Sequence, residues 1–221
     1  FGATSEPWPV IGQMVRRASF DVCAAFSEYA IREKGQAGII DSLTTLHTRA
    51  VFLAALEREI QRAERIGRPF ALILLDVDHL AEINAKHGFG AGDRIIERIG
   101  IVVRNYFRET DWVARSSGDT FAVLLPEIQG VDAERLADRM RIMVQDRIQI
   151  HDYNEQQFPV TVTAGVLIAE TVDRSVRAEQ LLTDAKEAVN RAKKAGRNRV
   201  ERIDAVLGRE VAPTREGISM D

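Results

Sequence analysis

The sequence is short of several features that would point to particular classes of protein. It has one cysteine, Cys23, so neither an internal disulfide nor a cysteine metal cluster can form. The net charge is −3, and the absence of a basic run or a basic-aromatic stripe argues against nucleic-acid binding. No apolar run is long enough to cross a bilayer, and no signal peptide is visible. With so little cysteine, we expect the protein in the reducing cytoplasm.

What the sequence does contain suits one ordinary domain with appendages. Its 221 residues are 45% hydrophobic and 29% charged, which is enough for a buried core. The chain begins at Phe1 rather than at Met. We therefore expect a piece of a longer protein, whose missing upstream part could carry a sensor or the only attachment to a membrane.

Residues 8–34 have the apolar pattern of a helix, with alternating steps of four and three residues. The pattern fits a two-stranded coiled coil and an amphipathic helix packed on its own domain about equally well. We predict that residues 1–36 are a linker or signalling helix and that residues 8–34 join two copies of the chain in a homodimer. The repeating residues are Ile11, Val15, Ala18, Val22, Ala25 and Tyr29.

The rest of the chain alternates between helical and strand patterns. An apolar helical face from Phe52 to Ile60 ends at Gly67 and Pro69, and the apolar run 70–75 predicts a buried central strand. The order of elements predicts an α+β fold, in which one mostly antiparallel sheet is covered by helices on both faces. We also predict helices over 91–107, 131–147 and 178–194, a hairpin over 112–115 and 120–125, a strand over 159–168, and a disordered tail over 204–221.

Acidic residues stand at two places where a strand ends or turns. Asp76 and Asp78 follow the run 70–75, and Asp119 lies at the tip of the hairpin. Carboxylates at the mouth of a buried strand are costly unless something pairs with them. Oxygen ligands of this kind suit a hard cation such as Mg²⁺ that also holds phosphates. Each residue alone is explained as well by turn chemistry or helix capping, so the surrounding motifs decide.

Four blocks of sequence carry the recognisable motifs. They begin at Asp41 (DSLTTL), Asp76 (DVDHLAEINAKHGFGAGD), Ala114 (ARSSGDTFAVLLP) and Asp184 (DAKEAVNRAKKAGRNRV). In the same order they resemble the patterns DxLTGL, DxDxFKxINDxxGHxxGD, ARYGGDEFAVLLP and DxALYxAKxxGRNRV of the GGDEF (diguanylate cyclase-like) domain family. Four ordered matches over roughly 160 residues leave little room for chance. The resemblance predicts a GGDEF domain over residues 38–203 with the family's palm-like fold.

The resemblance implies an activity and a set of functional residues. In this family, two domains in an antiparallel pair each bring one GTP, and the two nucleotides are joined into cyclic di-GMP with the help of Mg²⁺ or Mn²⁺. Carboxylates accept hydrogen bonds from the N–H donors of guanine, and the metal neutralises the triphosphate. By position, the metal ligands are Asp76, Asp119 and the backbone of Val77; the guanine contacts are Asn84 and Asp93; the substrate loop contains Ser117 and Gly118; the phosphate contacts are Lys193 and Arg197.

Three departures from the family pattern bear on catalysis. The loop GGDEF has become SGDTF, so Ser117 replaces a glycine and Thr120 replaces a glutamate. Ala81 stands where the family has a lysine, which removes one cation that faces the phosphates. Losing charged groups at a phosphoryl-transfer site lowers the rate, so we expect GTP binding with reduced or no turnover.

A second site is implied by the RxxD motif that lies just before the altered loop. In the family, Arg108 and Asp111 would form the inhibitory site that binds cyclic di-GMP, and Arg139 is a further candidate contact. The planar fork of an arginine can pair with the O6 and N7 atoms of guanine. Three functions stay open: a weak diguanylate cyclase, an inactive receptor for cyclic di-GMP, and a GTP-binding regulatory domain.

Overall fold

A computed structural model describes residues 38–151, 157–172 and 175–206. The predicted N-terminal helix and most of the predicted tail lie outside these residues. The strands are β1 (His47–Thr48), β2 (Phe70–Val77), β3 (Trp112–Ser117), β4 (Thr120–Pro126), β5 (Gln149–His151), β6 (Gln157–Pro159), β7 (Val162–Thr171) and β8 (Val200–Val206). The helices are α1 (Arg49–Ile66), α2 (Leu80–His87), α3 (Phe89–Tyr106), α4 (Gly130–Arg147) and α5 (Ala178–Lys194).

The central sheet has six strands in the spatial order β1, β3, β4, β2, β7, β8. Strand β2 lies in the middle and pairs antiparallel with β4 on one side and β7 on the other. Parallel pairing occurs at the two edges, between β1 and β3 and between β7 and β8. The prediction of a mostly antiparallel sheet within an α+β fold is therefore confirmed.

Helices cover both faces of this sheet, as predicted. Every residue of β2 is buried, and successive side chains alternate between two hydrophobic cores. Ile73 and Leu75 pack in the core shared with α3 and α4, whereas Leu72 and Leu74 pack in the core shared with α1 and α5. A strand that is apolar on both faces can only sit in the middle of such a sandwich.

The helix positions follow the local signals in the sequence closely. Gly67 ends α1 in the left-handed conformation, with φ of 66°, and its N–H donates to the carbonyl of Ala63. Helix α5 has the bounds predicted from its apolar periodicity, and α3 and α4 begin one or two residues earlier than predicted.

Two strand predictions need correction. The strand predicted over 159–168 is displaced, because β6 ends at Pro159 and β7 runs from Val162 to Thr171. Strand β8 was not predicted, and its last residues, 204–206, fall in the segment predicted to be a disordered tail. It is an edge strand, Val200–Val206, whose charged residues hide the apolar pattern, and it pairs with β7 only after α5 returns the chain to the sheet.

Helix α5 lies unusually close to the sheet at Gly165. A Cβ at this position would lie 2.5 Å from the carbonyl oxygen of Ala185 and 2.8 Å from the nitrogen of Val189. Only glycine allows this approach. The contact sets the distance between α5 and β7. It therefore also positions Lys193, which lies in the last turn of α5.

Candidate functional site

The two predicted metal-binding carboxylates meet at one end of the central strand. Asp76 lies near the end of β2, opposite Thr120 of β4, and is only 7% exposed. The hairpin that carries Asp119 is joined to the same strand end, since the N–H of Val77 donates to the carbonyl oxygen of Asp119 at 3.1 Å. Strand pairing thus brings two loops together that are more than forty residues apart in the chain.

A cation and a hydroxyl bind the Asp76 carboxylate directly. The ammonium group of Lys193 donates to Oδ1 and forms an ion pair with it. The hydroxyl of Thr120 donates to Oδ2 at 3.2 Å and also lies 3.5 Å from Oδ1 of Asp119. Burial raises the pKa of Asp76 above its ordinary value and the charge of Asp119 adds to this, while Lys193 and Thr120 oppose the shift.

This donor set fits a divalent cation that arrives with a nucleotide. Among the described residues, no group of three or more His, Cys, Asp and Glu side chains is placed to hold a metal ion alone. Mg²⁺ is commonly bound by one or two carboxylates together with phosphates and water. Asp76 and Asp119 meet that minimum, whereas Thr120 contributes a neutral hydroxyl where a third carboxylate would strengthen the site.

An arginine holds the altered loop in place. Arg115 donates from Nε and Nη2 to the carbonyl oxygen of Gly118, at 3.0 and 2.7 Å. Its Nη1 lies 3.2 Å from both oxygens of Asp41, which also accepts hydrogen bonds from Thr44. Burial alone would raise the pKa of Asp41, but these partners hold it below its ordinary value. Arg115 and Asp41 were absent from the predicted site, although both lie within the matched motifs.

The two residues predicted to contact guanine lie on neighbouring helices. Asn84 is in α2, and Asp93 is exposed in the first turns of α3. The Oδ1 atom of Asn84 is buried and lacks a hydrogen-bond partner within the described residues. A Cβ at Gly92 would lie 2.0 Å from that oxygen, so the glycine makes room for the amide. An unsatisfied buried acceptor is costly in a folded chain, and this one lies where α2 and α3 meet.

The two predicted phosphate contacts reach different parts of this region. Lys193 bonds to Asp76, as described above, whereas Arg197 is exposed in the turn after α5 with φ of 60°. A hydrogen bond from His79 is the main cause that lowers the pKa of Glu82, and the charge of Arg197 contributes at longer range. The described hydrogen bonds and ion pairs include none from the Arg197 side chain to Asp76 or Asp119.

The three residues of the predicted second site line one cavity of about 490 Å³. Arg108 and Asp111 come from the segment before β3, and Arg139 comes from α4, which also supplies Arg135. The carboxylate of Asp111 accepts a hydrogen bond from the backbone N–H of Arg108 at 2.9 Å and so fixes this turn. Burial raises the pKa of Asp111, and Arg108 opposes the shift. The cavity is thus rimmed by guanidinium groups on two separate elements.

Comparison with known proteins agrees with the fold and the motifs. The family model described as "Diguanylate cyclase, GGDEF domain" matches residues 38–199. The diguanylate cyclase TpbB of Pseudomonas aeruginosa is 36% identical over 158 residues, which are 71% of this chain and 35% of that protein. The diguanylate cyclase DosC of Escherichia coli is 32% identical over 182 residues, which are 82% of this chain and 38% of that protein.

Solved structures lead to the same group of proteins. The GGDEF domain of DgcB from Caulobacter crescentus, crystallised in complex with c-di-GMP, has a TM-score of 0.69 and 25% identity, covering 76% of this chain and 96% of that one. A GGDEF-only form of PA1120 (TpbB or YfiN) from Pseudomonas aeruginosa has a TM-score of 0.65 and 33% identity, covering 74% and 93%.

Fold and motifs together define an α+β domain of the palm type, with carboxylates and cations gathered at one end of its sheet. The chain belongs to the diguanylate cyclase GGDEF-domain family. The matched region spans 25% of the length of the diguanylate cyclase DgcP of Pseudomonas aeruginosa and 38% of the length of DosC. Within the described residues, none of the helices combines the length and apolarity that a membrane span requires.

Proposed function

We propose that this domain binds GTP with Mg²⁺ between the ends of β2 and the β3–β4 hairpin, and that it condenses two GTP molecules into cyclic di-GMP with low turnover. The observation that carries this proposal is the convergence of Asp76, Asp119 and Lys193, which come from three distant segments and surround one strand end. Its curated relatives TpbB and DosC are diguanylate cyclases, which supports the same chemistry.

Each side chain has a distinct part in this proposal. Asp76 and Asp119, with the backbone carbonyl of Val77, hold the metal ion, which when bound neutralises triphosphate charge and favours deprotonation of the attacking hydroxyl. Lys193 then moves its donors from Asp76 to phosphate oxygens. Asn84 presents its side-chain amide to guanine. Because one domain carries one nucleotide, condensation needs a second copy of the chain, and we propose a homodimer.

The low turnover follows from the groups that surround the metal. Thr120 supplies a hydroxyl that binds both carboxylates weakly, at 3.2 and 3.5 Å, and supplies no negative charge. Removing one group that stabilises a transition state typically costs about 10²–10³ in rate. Ala81 removes a cation on the phosphate side as well.

A second candidate function is reception of cyclic di-GMP without catalysis. It is favoured by the cavity that gathers Arg108, Asp111 and Arg139, because its size and its guanidinium groups suit guanine and phosphate. The GGDEF domain of DgcB was solved in complex with c-di-GMP, which supports binding of this dinucleotide by a similar fold.

One experiment separates the two functions. Purified protein is incubated with GTP and either Mg²⁺ or Mn²⁺, and cyclic di-GMP is measured by chromatography, with Asp76→Asn as the control for metal-dependent turnover. Slow formation of product in the wild type and none in Asp76→Asn supports the cyclase. Absence of product, together with calorimetric binding of cyclic di-GMP that is lost in Arg108→Ala, identifies a receptor. Binding of GTP alone would identify a regulatory nucleotide-binding domain.

A further inference from the structure

Asp78 is a buried acidic residue that the proposed chemistry does not use. It is 2% exposed and lies just beyond β2, two residues after Asp76. Its Oδ1 accepts a hydrogen bond from the hydroxyl of Thr163 at 2.6 Å, and its Oδ2 accepts one from the hydroxyl of Thr161 at 2.8 Å. None of the described ion pairs includes Asp78, so these neutral donors must satisfy the buried charge.

The third donor to Asp78 comes from a distant loop. The backbone N–H of Asn198 donates to Oδ2 of Asp78 at 3.2 Å and shares its hydrogen with Oγ1 of Thr163 at 3.1 Å. Asn198 lies in the turn between α5 and β8, directly after Arg197. A buried carboxylate at the end of β2 therefore contacts the loop that carries one of the proposed phosphate contacts.

This loop has a conformation that needs support from its surroundings. Arg197 and Asn198 have φ of 60° and 43°, so two successive residues other than glycine lie in the left-handed region. Such backbone is disfavoured for L-residues and persists only where neighbouring groups hold it. On the other side of the loop, the side-chain amide of Asn198 contacts two residues of α4. It accepts a hydrogen bond from Arg141 at 2.9 Å and donates one to Gln145 at 3.1 Å.

We propose that Asp78 is a positioning residue, which holds the loop after α5 in register with the end of β2 so that Arg197 faces the phosphates of a nucleotide bound at Asp76. This inference rests on the proposed GTP-binding function for its consequence, but not for the tether itself. The tether is short on both sides: Asp78 is two residues from Asp76, and Asn198 is one residue from Arg197. A change in the orientation of the loop therefore moves the guanidinium group of Arg197 directly.

The tether differs from an ordinary core contact in what its loss would affect. The side chain of Asp78 accepts hydrogen bonds from Thr161, Thr163 and Asn198, and none of these residues lines the cavity with Arg108 and Arg139. Loss of the Asp78 contacts should therefore release the loop while the fold and the second cavity remain. A purely structural residue would weaken both sites together when it is replaced.

The test uses Asp78→Asn in the full chain, with Asp204→Asn as the matched control. Asp204 is an exposed carboxylate of β8 whose hydrogen bond, from Arg202, lies outside this loop. Three quantities are measured: the hydrogen-exchange rate of the backbone N–H of Asn198, the Kd of a non-hydrolysable GTP analogue with Mg²⁺, and the Kd of cyclic di-GMP. Thr161→Val removes a single donor to Asp78 and serves as a milder variant should Asp78→Asn unfold.

We expect Asp78→Asn to accelerate exchange at Asn198 and to raise the Kd of the GTP analogue by about tenfold, the size typical of residues that orient a ligand-binding group. The Kd of cyclic di-GMP should change less than about twofold, and Asp204→Asn should alter none of the three. Unchanged exchange at Asn198 in folded Asp78→Asn or Thr161→Val would overturn the proposal, as would parallel weakening of both ligands. Faster exchange in a protein whose wild type binds no GTP would retain the tether and refute the proposed function instead.

Discussion

The most informative perturbation is the return of a carboxylate to the altered loop by Thr120→Glu. Thr120 is 6% exposed and its hydroxyl contacts both Asp76 and Asp119. A glutamate there would complete a cluster of three carboxylates of the kind that binds divalent cations tightly. If Thr120 is the main cause of slow turnover, Thr120→Glu should accelerate formation of cyclic di-GMP in Mg²⁺ by about 10²–10³, the reverse of the loss expected for one such group.

The same substitution should destabilise the protein without metal. Two unit charges about 4 Å apart repel by roughly 4 kcal/mol at an effective dielectric constant of about 20. The new carboxylate would meet Asp76 and Asp119, and within the described residues the ion pairs include Asp76, with Lys193, but not Asp119. Protonation of one member of the cluster relieves part of this repulsion. We therefore expect a lower melting temperature in chelator and a larger gain on adding Mg²⁺ than the wild type shows.

The assay compares turnover and melting temperature for wild type, Thr120→Glu and Thr120→Gln over a range of Mg²⁺ concentrations. Glutamine has nearly the size of glutamate but no charge, so it separates metal binding from packing. Turnover of Thr120→Glu that is no faster than that of Thr120→Gln, in folded protein that binds the GTP analogue, would refute the reasoning. The limiting step would then lie elsewhere, with Ala81 the next candidate.

Three further predictions follow from the described contacts. Asp76→Asn should abolish metal-dependent GTP binding. Because the raised pKa of Asp76 makes its ionisation unfavourable to the fold, the free energy of unfolding of the metal-free wild type should fall as the pH rises above about 4. Asp76→Asn should show a smaller fall, which urea unfolding at several pH values checks. Arg108→Ala should weaken cyclic di-GMP binding by roughly 10–100-fold, the worth of one charge-assisted hydrogen bond, while calorimetry shows no change for Arg58→Ala, an exposed arginine of α1. Gly165→Ala should lower the free energy of unfolding by about 1–3 kcal/mol, because its Cβ would overlap the backbone of α5; an unchanged melting temperature would contradict the close approach.

Local signals were enough to predict most helices of the domain. The apolar periodicity of α5 and the left-handed stop at Gly67 depend only on residues near in the chain. The burial of β2 on both faces was also visible, because a continuous apolar run has no polar face to present to water. The four motifs in order then led from these elements to the GGDEF family, which the comparisons confirm.

Strand pairing was less accessible because it depends on contacts between distant residues. Strand β8 carries charged side chains at an edge, so its pairing with β7 is decided by the return of the chain through α5 and not by its own pattern. The bounds of β7 moved for a related reason, since its pairing with β2 sets where it begins. Residues 8–34 and the proposed dimer contact remain predictions, as does the domain boundary at residue 203.

The sequence by itself determined which residue types the domain could use: an acidic position after a buried apolar run, another in a hairpin turn, a cationic end to α5, and a loop in which Thr120 had replaced a glutamate. Only the tertiary structure decided that Lys193 binds Asp76, that Arg115 holds the altered loop against Asp41, and that Asp78 accepts a hydrogen bond from the turn after Arg197. The physical reason is that the sequence specifies each residue's type, whereas sheet register and helix packing determine which charged or polar group lies next to it. Those depend on how the whole core closes.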